Sequence, residues 1–193
     1  SEENGIGVIY QEFNLVGDLT VAENIFLGRA IRKGWIVDFA AMKKQAQAIL
    51  DSLHINIDPS VMVKNLSVGY QQMVEIAKAM SQNAQVLIMD EPSAPLTNAE
   101  VENMFAVVEL LRSKGVTIIY ISHRLEEIFR LSDRITVLRD GEYVITLNTK
   151  ETTEDELIKY MVGRQLHEVY PPRNPECVQK EIIFEAKSVS GNG

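Results

Sequence analysis

Three apolar runs in this sequence each end on side chains able to handle a phosphate, a metal or a proton. Ile6-Gly7-Val8-Ile9-Tyr10 runs into Gln11, Val86-Leu87-Ile88-Met89 into Asp90 and Glu91, and the β-branched run from Val116 to Ile121 into Ser122 and His123. A carboxylate directly after a buried strand suits Mg²⁺, held directly or through water. The next carboxylate, Glu91, can polarise an attacking water. A glutamine, a histidine and two carboxylates around a metal are what phosphoryl transfer to water needs. Alone, each group also fits a solvated turn, an exposed polar side chain or a histidine at a helix start. Their joint order is what singles them out.

These groups meet only if the three runs are neighbouring parallel strands, because ligands in open α/β sheets bind beyond the strands' carboxyl ends. The intervening sequence reads as helix. Thr20-Val21-Ala22-Glu23 and Thr97-Asn98-Ala99-Glu100 are capping boxes. Asp38 caps a predicted helix through Leu53. Ser67 caps one with Met73, Ile76, Ala77 and Met80 at helical spacing, and Thr153 caps a last one through Met161. Asp140-Gly141, between Ile135–Leu138 and Tyr143–Leu147, is a hairpin signal. Apolar strands alternating with helices predict an α/β fold whose parallel sheet is covered on both faces. Residues 12–82 read as helix only, which predicts a helical subdomain inserted into the sheet domain.

Composition narrows the classes. The 19 Lys and Arg against 27 Asp and Glu give a net charge of −8, which disfavours a nucleic-acid partner. The single cysteine, Cys177, excludes an internal disulfide. No apolar run approaches the roughly 20 residues that span a bilayer. Tyr170-Pro171-Pro172-Arg173-Asn174-Pro175 reads as a stiff linker, followed by a strand at Ile182-Ile183-Phe184. The expected domains are therefore 1–170, a linker over 171–180, and the opening of a further domain at 181–193. Both ends suggest a segment of a longer protein.

The motifs in sequence resemble those of the nucleotide-binding subunit of an ATP-binding-cassette transporter. Gln11 resembles the glutamine-loop residue and Leu66-Ser67-Val68-Gly69-Tyr70-Gln71-Gln72 the signature motif. Val86 to Glu91 resembles Walker B with its catalytic glutamate. Ser93-Ala94-Pro95-Leu96-Thr97 resembles the D-loop, and His123 the switch histidine. Leu19 to Arg29, Gln72 to Ala79 and Met161-Val162-Gly163-Arg164 resemble the ribose-, galactose- and xylose-type sugar importers, in which two cassettes share one polypeptide.

The resemblance implies a P-loop NTPase-like fold, truncated at the N-terminus, with ATP and Mg²⁺ as ligands. It implies that Asp90 holds Mg²⁺, Glu91 acts as base, His123 contacts the γ-phosphate, and Gln11 senses metal and nucleotide. Ser67 and Gly69 complete the site of a partner cassette. The implied partners are a transmembrane permease, a second cassette in the same polypeptide and, indirectly, a sugar-binding protein. The implied place is the cytoplasmic face of the membrane. The pattern has departures: Val68 stands where glycine is common, Tyr70 where glutamine is common, and Pro95 is unusual in the D-loop. There is no G-x-x-x-x-G-K-[ST], so the phosphate loop is expected upstream of Ser1. Two rival readings are a cassette ATPase acting on ribosomes or DNA, and a non-catalytic regulatory cassette.

Overall fold

The computed structural model describes residues 5–163; the expected linker at 171–180 and the strand after 181 lie outside them. The chain divides into two compact units, one ending at Asp133 and the other beginning at Arg134. The first unit is built on β1 (Ile6–Ile9), β4 (Val86–Asp90) and β5 (Thr117–Ile121), in the order β1-β4-β5 with both pairs parallel. Between β1 and β4 come α1 (Val21–Ile25), the short strands β2 (Arg32–Lys33) and β3 (Ile36–Val37), α2 (Phe39–Ser52) and α3 (Val68–Met80). After β4 come α4 (Asn98–Ser113), β5 and α5 (Leu125–Leu131).

Local chemistry sets the helix starts. Thr20 and Thr97 both close full capping boxes, with Glu23 and Glu100 as the reciprocal partners. Asp38 accepts from the Ala41 N–H and Ser67 from the Tyr70 N–H. Residues 12–82 are not helix only: β2 and β3 form an antiparallel hairpin. Its turn is Gly34-Trp35, with positive φ at Gly34 alone of the two, as in the turns whose twist matches paired strands.

Alternation along the three parallel strands sorts the core. Ile9, Leu87 and Met89 are buried, and Ile118 and Tyr120 pack against the same cluster with residues of α3 and α4 such as Ile76, Ala77, Met104 and Val108. The opposite face carries Val8, Val86 and Ile88, which are half-buried, and Ile119 and Ile121, which are exposed. The expectation of cover on both faces is thus corrected: in this unit the helices bury one face and leave an apolar face partly open.

The second unit pairs β6 (Arg134–Arg139) with β7 (Glu142–Asn148) around Asp140 and Gly141, both at positive φ. α6 (Glu154–Val162), capped by Thr153, follows and lies against β6.

Candidate functional site

The β1-β4-β5 order brings the three polar strand ends to one edge. β4 is central, so Asp90 and Glu91 leave the sheet between the ends of β1 and β5. Glu91 sits at φ 44°, a left-handed backbone rare for a residue with a side chain. Its N–H donates to the Ile121 carbonyl at 2.9 Å, which fixes the turn. Such strain persists only where surrounding structure imposes it. The turn brings Glu91 Oε1 to 3.0 Å from Nδ1 of His123, at the end of β5. The Glu91 side chain is one-third exposed and the His123 side chain 70% exposed, so the pair opens to solvent. Gln11 is exposed, two residues beyond β1, and Asp90 is half-buried at the end of β4.

Mg²⁺ fits this edge in one way. Asp90 and Gln11 offer hard oxygen donors, the kind Mg²⁺ prefers, and that ion commonly takes one or two protein carboxylates with phosphate and water completing its shell. Among the described residues no group of three or more His, Cys, Asp and Glu stands close enough to hold a metal. A metal held by protein ligands alone therefore has no support there.

Ser67 and Gly69 belong to a second cluster, at the N-terminus of α3. The Ser67 hydroxyl donates to Glu100 Oε1 at 2.9 Å and the Gly69 N–H donates to the same oxygen at 3.1 Å. A Cβ on Gly69 would stand 2.5 Å from the Glu100 Cγ, so only glycine admits this approach. Glu100 Oε2 accepts from the Thr97 N–H and hydroxyl. Hydrogen bonds from Thr97 first, then from Ser67, hold the Glu100 carboxyl down at about 2. An anion therefore already sits on the exposed donors of this helix end, where the dipole favours one.

Two residues of these clusters escape a reading of local sequence. Glu100 registers only as the reciprocal member of a capping box, because its other partners lie more than thirty residues away. Glu127, on α5, is 3% exposed. Its Oε2 accepts from the hydroxyls of Ser93 (2.8 Å), Tyr120 (2.9 Å) and Ser122 (3.0 Å), and its Oε1 lies 2.9 Å from Arg124 Nη1. Burial, and then the Glu127 acceptor, push the Tyr120 phenol well above its ordinary value.

A parallel sheet in the order β1-β4-β5, with helices packed on one face, gives this unit an α/β fold of the kind seen in solved ATP-binding cassettes. A nucleotide-free ATP-binding cassette from an ABC transporter superposes at TM-score 0.69 with 25% identity, covering 88% of this chain and 70% of that one. The cbiO1 protein from Clostridium perfringens, part of an ABC transporter complex, superposes at 0.65 with 26% identity, covering 86% of this chain and 66% of that one.

Residues 1–94 match the model of the ABC transporter family. The chain is 51% identical, over 98% of its length, to the ribose import ATP-binding protein RbsA of Lactococcus lactis, and covers 38% of that relative. It is 48% identical to the xylose import ATP-binding protein XylG of Geobacillus kaustophilus over 95% of its length, covering 36% of that protein. It is 45% identical to the galactose/methyl galactoside import ATP-binding protein MglA of Haemophilus influenzae over 97%, covering 37%. The chain thus spans less than two-fifths of the length of these relatives.

Proposed function

We propose that this chain is part of the ATP-hydrolysing subunit of a monosaccharide importer. The observation that carries the reading is the 3.0 Å contact between Glu91 and His123 beside Asp90 at the carboxyl edge of the sheet. In this reading Glu91 accepts the proton of the attacking water. His123 is oriented by Glu91 and donates toward the phosphate. Asp90 and Gln11 hold Mg²⁺, which when bound neutralises phosphate charge. Ser67 and the α3 N-terminus face the nucleotide of a partner cassette.

The sugar class follows from relatives that import ribose, galactosides and xylose. Their greater length supports a second cassette in the same polypeptide, with residues 1–170 as cassette, 12–82 as its helical subdomain, 171–180 as linker and 181–193 as the start of the second. The further partners are a membrane permease and, through it, a sugar-binding protein, with the subunit on the cytoplasmic face. No helix among the described residues is long and apolar enough to cross a membrane. The net charge of −8 favours no nucleic-acid partner. Hydrolysis is assigned to the whole protein, because this sequence has no G-x-x-x-x-G-K-[ST] to cradle the phosphates.

The test is the full-length protein with Asp90→Asn and Glu91→Gln. A metal ligand acts in the ground state and a base chiefly in the transition state. Asp90→Asn is expected to weaken Mg-dependent ATP binding. Glu91→Gln is expected to spare binding and lower kcat by roughly 10²–10⁴-fold, the usual worth of a general base. Equal loss of ATP affinity in both variants overturns the assignment.

A further inference from the structure

We propose that Glu127 is a positioning residue for the Glu91–His123 pair, an inference that rests on reading this pair as the hydrolytic site. A carboxylate buried as deeply as Glu127 is costly unless it is paired and hydrogen-bonded. Arg124 meets its charge, and three hydroxyls converge on its other oxygen. Those hydroxyls come from two places that matter. Ser93 is 2% exposed and stands two residues after Glu91, inside the turn that Glu91 opens at positive φ. Ser122 precedes His123, and its Oγ also accepts from the Arg124 N–H at 3.0 Å. Tyr120 lies on β5, in register with Met89 of β4.

One carboxylate oxygen therefore ties the exit of β4 to the exit of β5, at points that flank Glu91 and His123. Stability alone is a poor account of this arrangement. An apolar side chain of similar volume is often neutral or better than a buried ion pair. It cannot, however, draw three hydroxyl hydrogens to one point. Glu127 sets the backbone from which Glu91 and His123 project and acts through Ser93 and Ser122. It does not act on the reacting atoms.

The experiment compares Glu127→Ala and Glu127→Gln in the full-length protein, by ATPase kinetics and by amide hydrogen exchange. Misplacement by about an ångström costs on the order of 10²-fold in catalysis. Glu127→Ala is therefore expected to lower kcat roughly 10–100-fold, with the KM for ATP nearly unchanged. Gln keeps an oxygen that accepts from the hydroxyls, so Glu127→Gln recovers most of the rate. In a Glu91→Gln background, Glu127→Ala adds little, because the two residues act as one unit.

Exchange at the amides of Glu91, bonded to the Ile121 carbonyl, and of Arg124, bonded to Ser122 Oγ, quickens in Glu127→Ala while central β4 stays protected. A kcat per folded molecule equal to wild type overturns the proposal. So does exchange that rises uniformly across the sheet, which marks a merely structural role. If Glu91→Gln hydrolyses ATP at the full rate, the functional reading fails instead. The exchange result then decides positioning alone: a local rise at residues 91 and 124 sustains it, and no rise overturns it.

Discussion

Glu100 serves two helix ends with one carboxylate. Oε2 closes the capping box of α4 on Thr97, while Oε1 takes the Ser67 hydroxyl and the Gly69 N–H at the start of α3. Its carboxyl is held down at about 2, against 4.5 ordinarily. A depressed carboxyl stabilises the fold fully above the ordinary value, and that contribution fades as pH falls from about 4.5 toward 2. Glu100→Gln keeps the shape and the capping box but removes the charge. Its acid unfolding is expected to lose the part of the pH dependence that lies between 4.5 and 2, measured as melting temperature against pH. The site is solvent-accessible, so the change is small. A second consequence rests on Ser67 and Gly69 facing a phosphate. Glu100 then competes for the same donors, and Glu100→Gln lowers the ATP concentration that drives cassette association by roughly two- to fivefold, a helix-end charge effect. Unchanged or weaker association removes Glu100 from that role. The bond to Thr97 is legible in the sequence because its partners are three residues apart. The bonds to Ser67 and Gly69 are not, since only the packing of α3 beside α4 brings them together.

At the scale of elements, local chemistry is what the sequence discloses. Caps at Thr20, Asp38, Ser67, Thr97 and Thr153 set five helix starts, and Asp140-Gly141 sets the β6–β7 turn, because each involves neighbours a few residues apart. The β2–β3 hairpin is hidden because two-residue strands have no period to read. Polar residues at all three strand ends point to neighbouring strands but not to the order β1-β4-β5, and alternation cannot say whether one face or both will be covered. Nor does the sequence show how the segment after Gln11 is held. Asn24, fully buried on α1, accepts from the Val16 N–H at 2.7 Å and donates to the carbonyls of Val16 and Thr20. Lys78 of α3 donates to the Asn14 carbonyl at 2.7 Å. Asn24→Ala leaves buried backbone groups unpaired and is expected to destabilise the fold by about 1–3 kcal/mol, read by urea unfolding. Asn24→Asp keeps the acceptor and loses the donors, so it is expected to fall below wild type as well. Wild-type stability in Asn24→Ala would show that this segment is not clamped by α1.

Across the whole molecule, the open face of the sheet sets how the chain behaves by itself. Val8, Val86 and Ile88 are half-buried, Ile119 is 48% exposed and Ile121 46% exposed, all on the face away from the core. Contiguous apolar surface of this kind on a soluble chain marks a contact face or an aggregation hazard. The net charge of −8 opposes self-association through repulsion, but salt screens that repulsion within about 8–10 Å near physiological ionic strength and leaves apolar attraction in place. The 193-residue chain is therefore expected to bind a hydrophobic dye under native conditions. It is also expected to associate more strongly as salt rises, measured by sedimentation at several concentrations. The double substitution Ile119→Thr with Ile121→Thr keeps β-branched side chains suited to a strand and adds a hydroxyl where water reaches it. It is expected to reduce both dye binding and association while shifting stability by no more than about 1 kcal/mol, the usual range for two surface changes. An alternative source of association is β5, an edge strand among the described residues, since an edge strand can pair with another chain. That route would persist in the double variant, since its backbone is unchanged. A chain that stays monomeric in high salt and binds no dye would show that this apolar face is covered in solution.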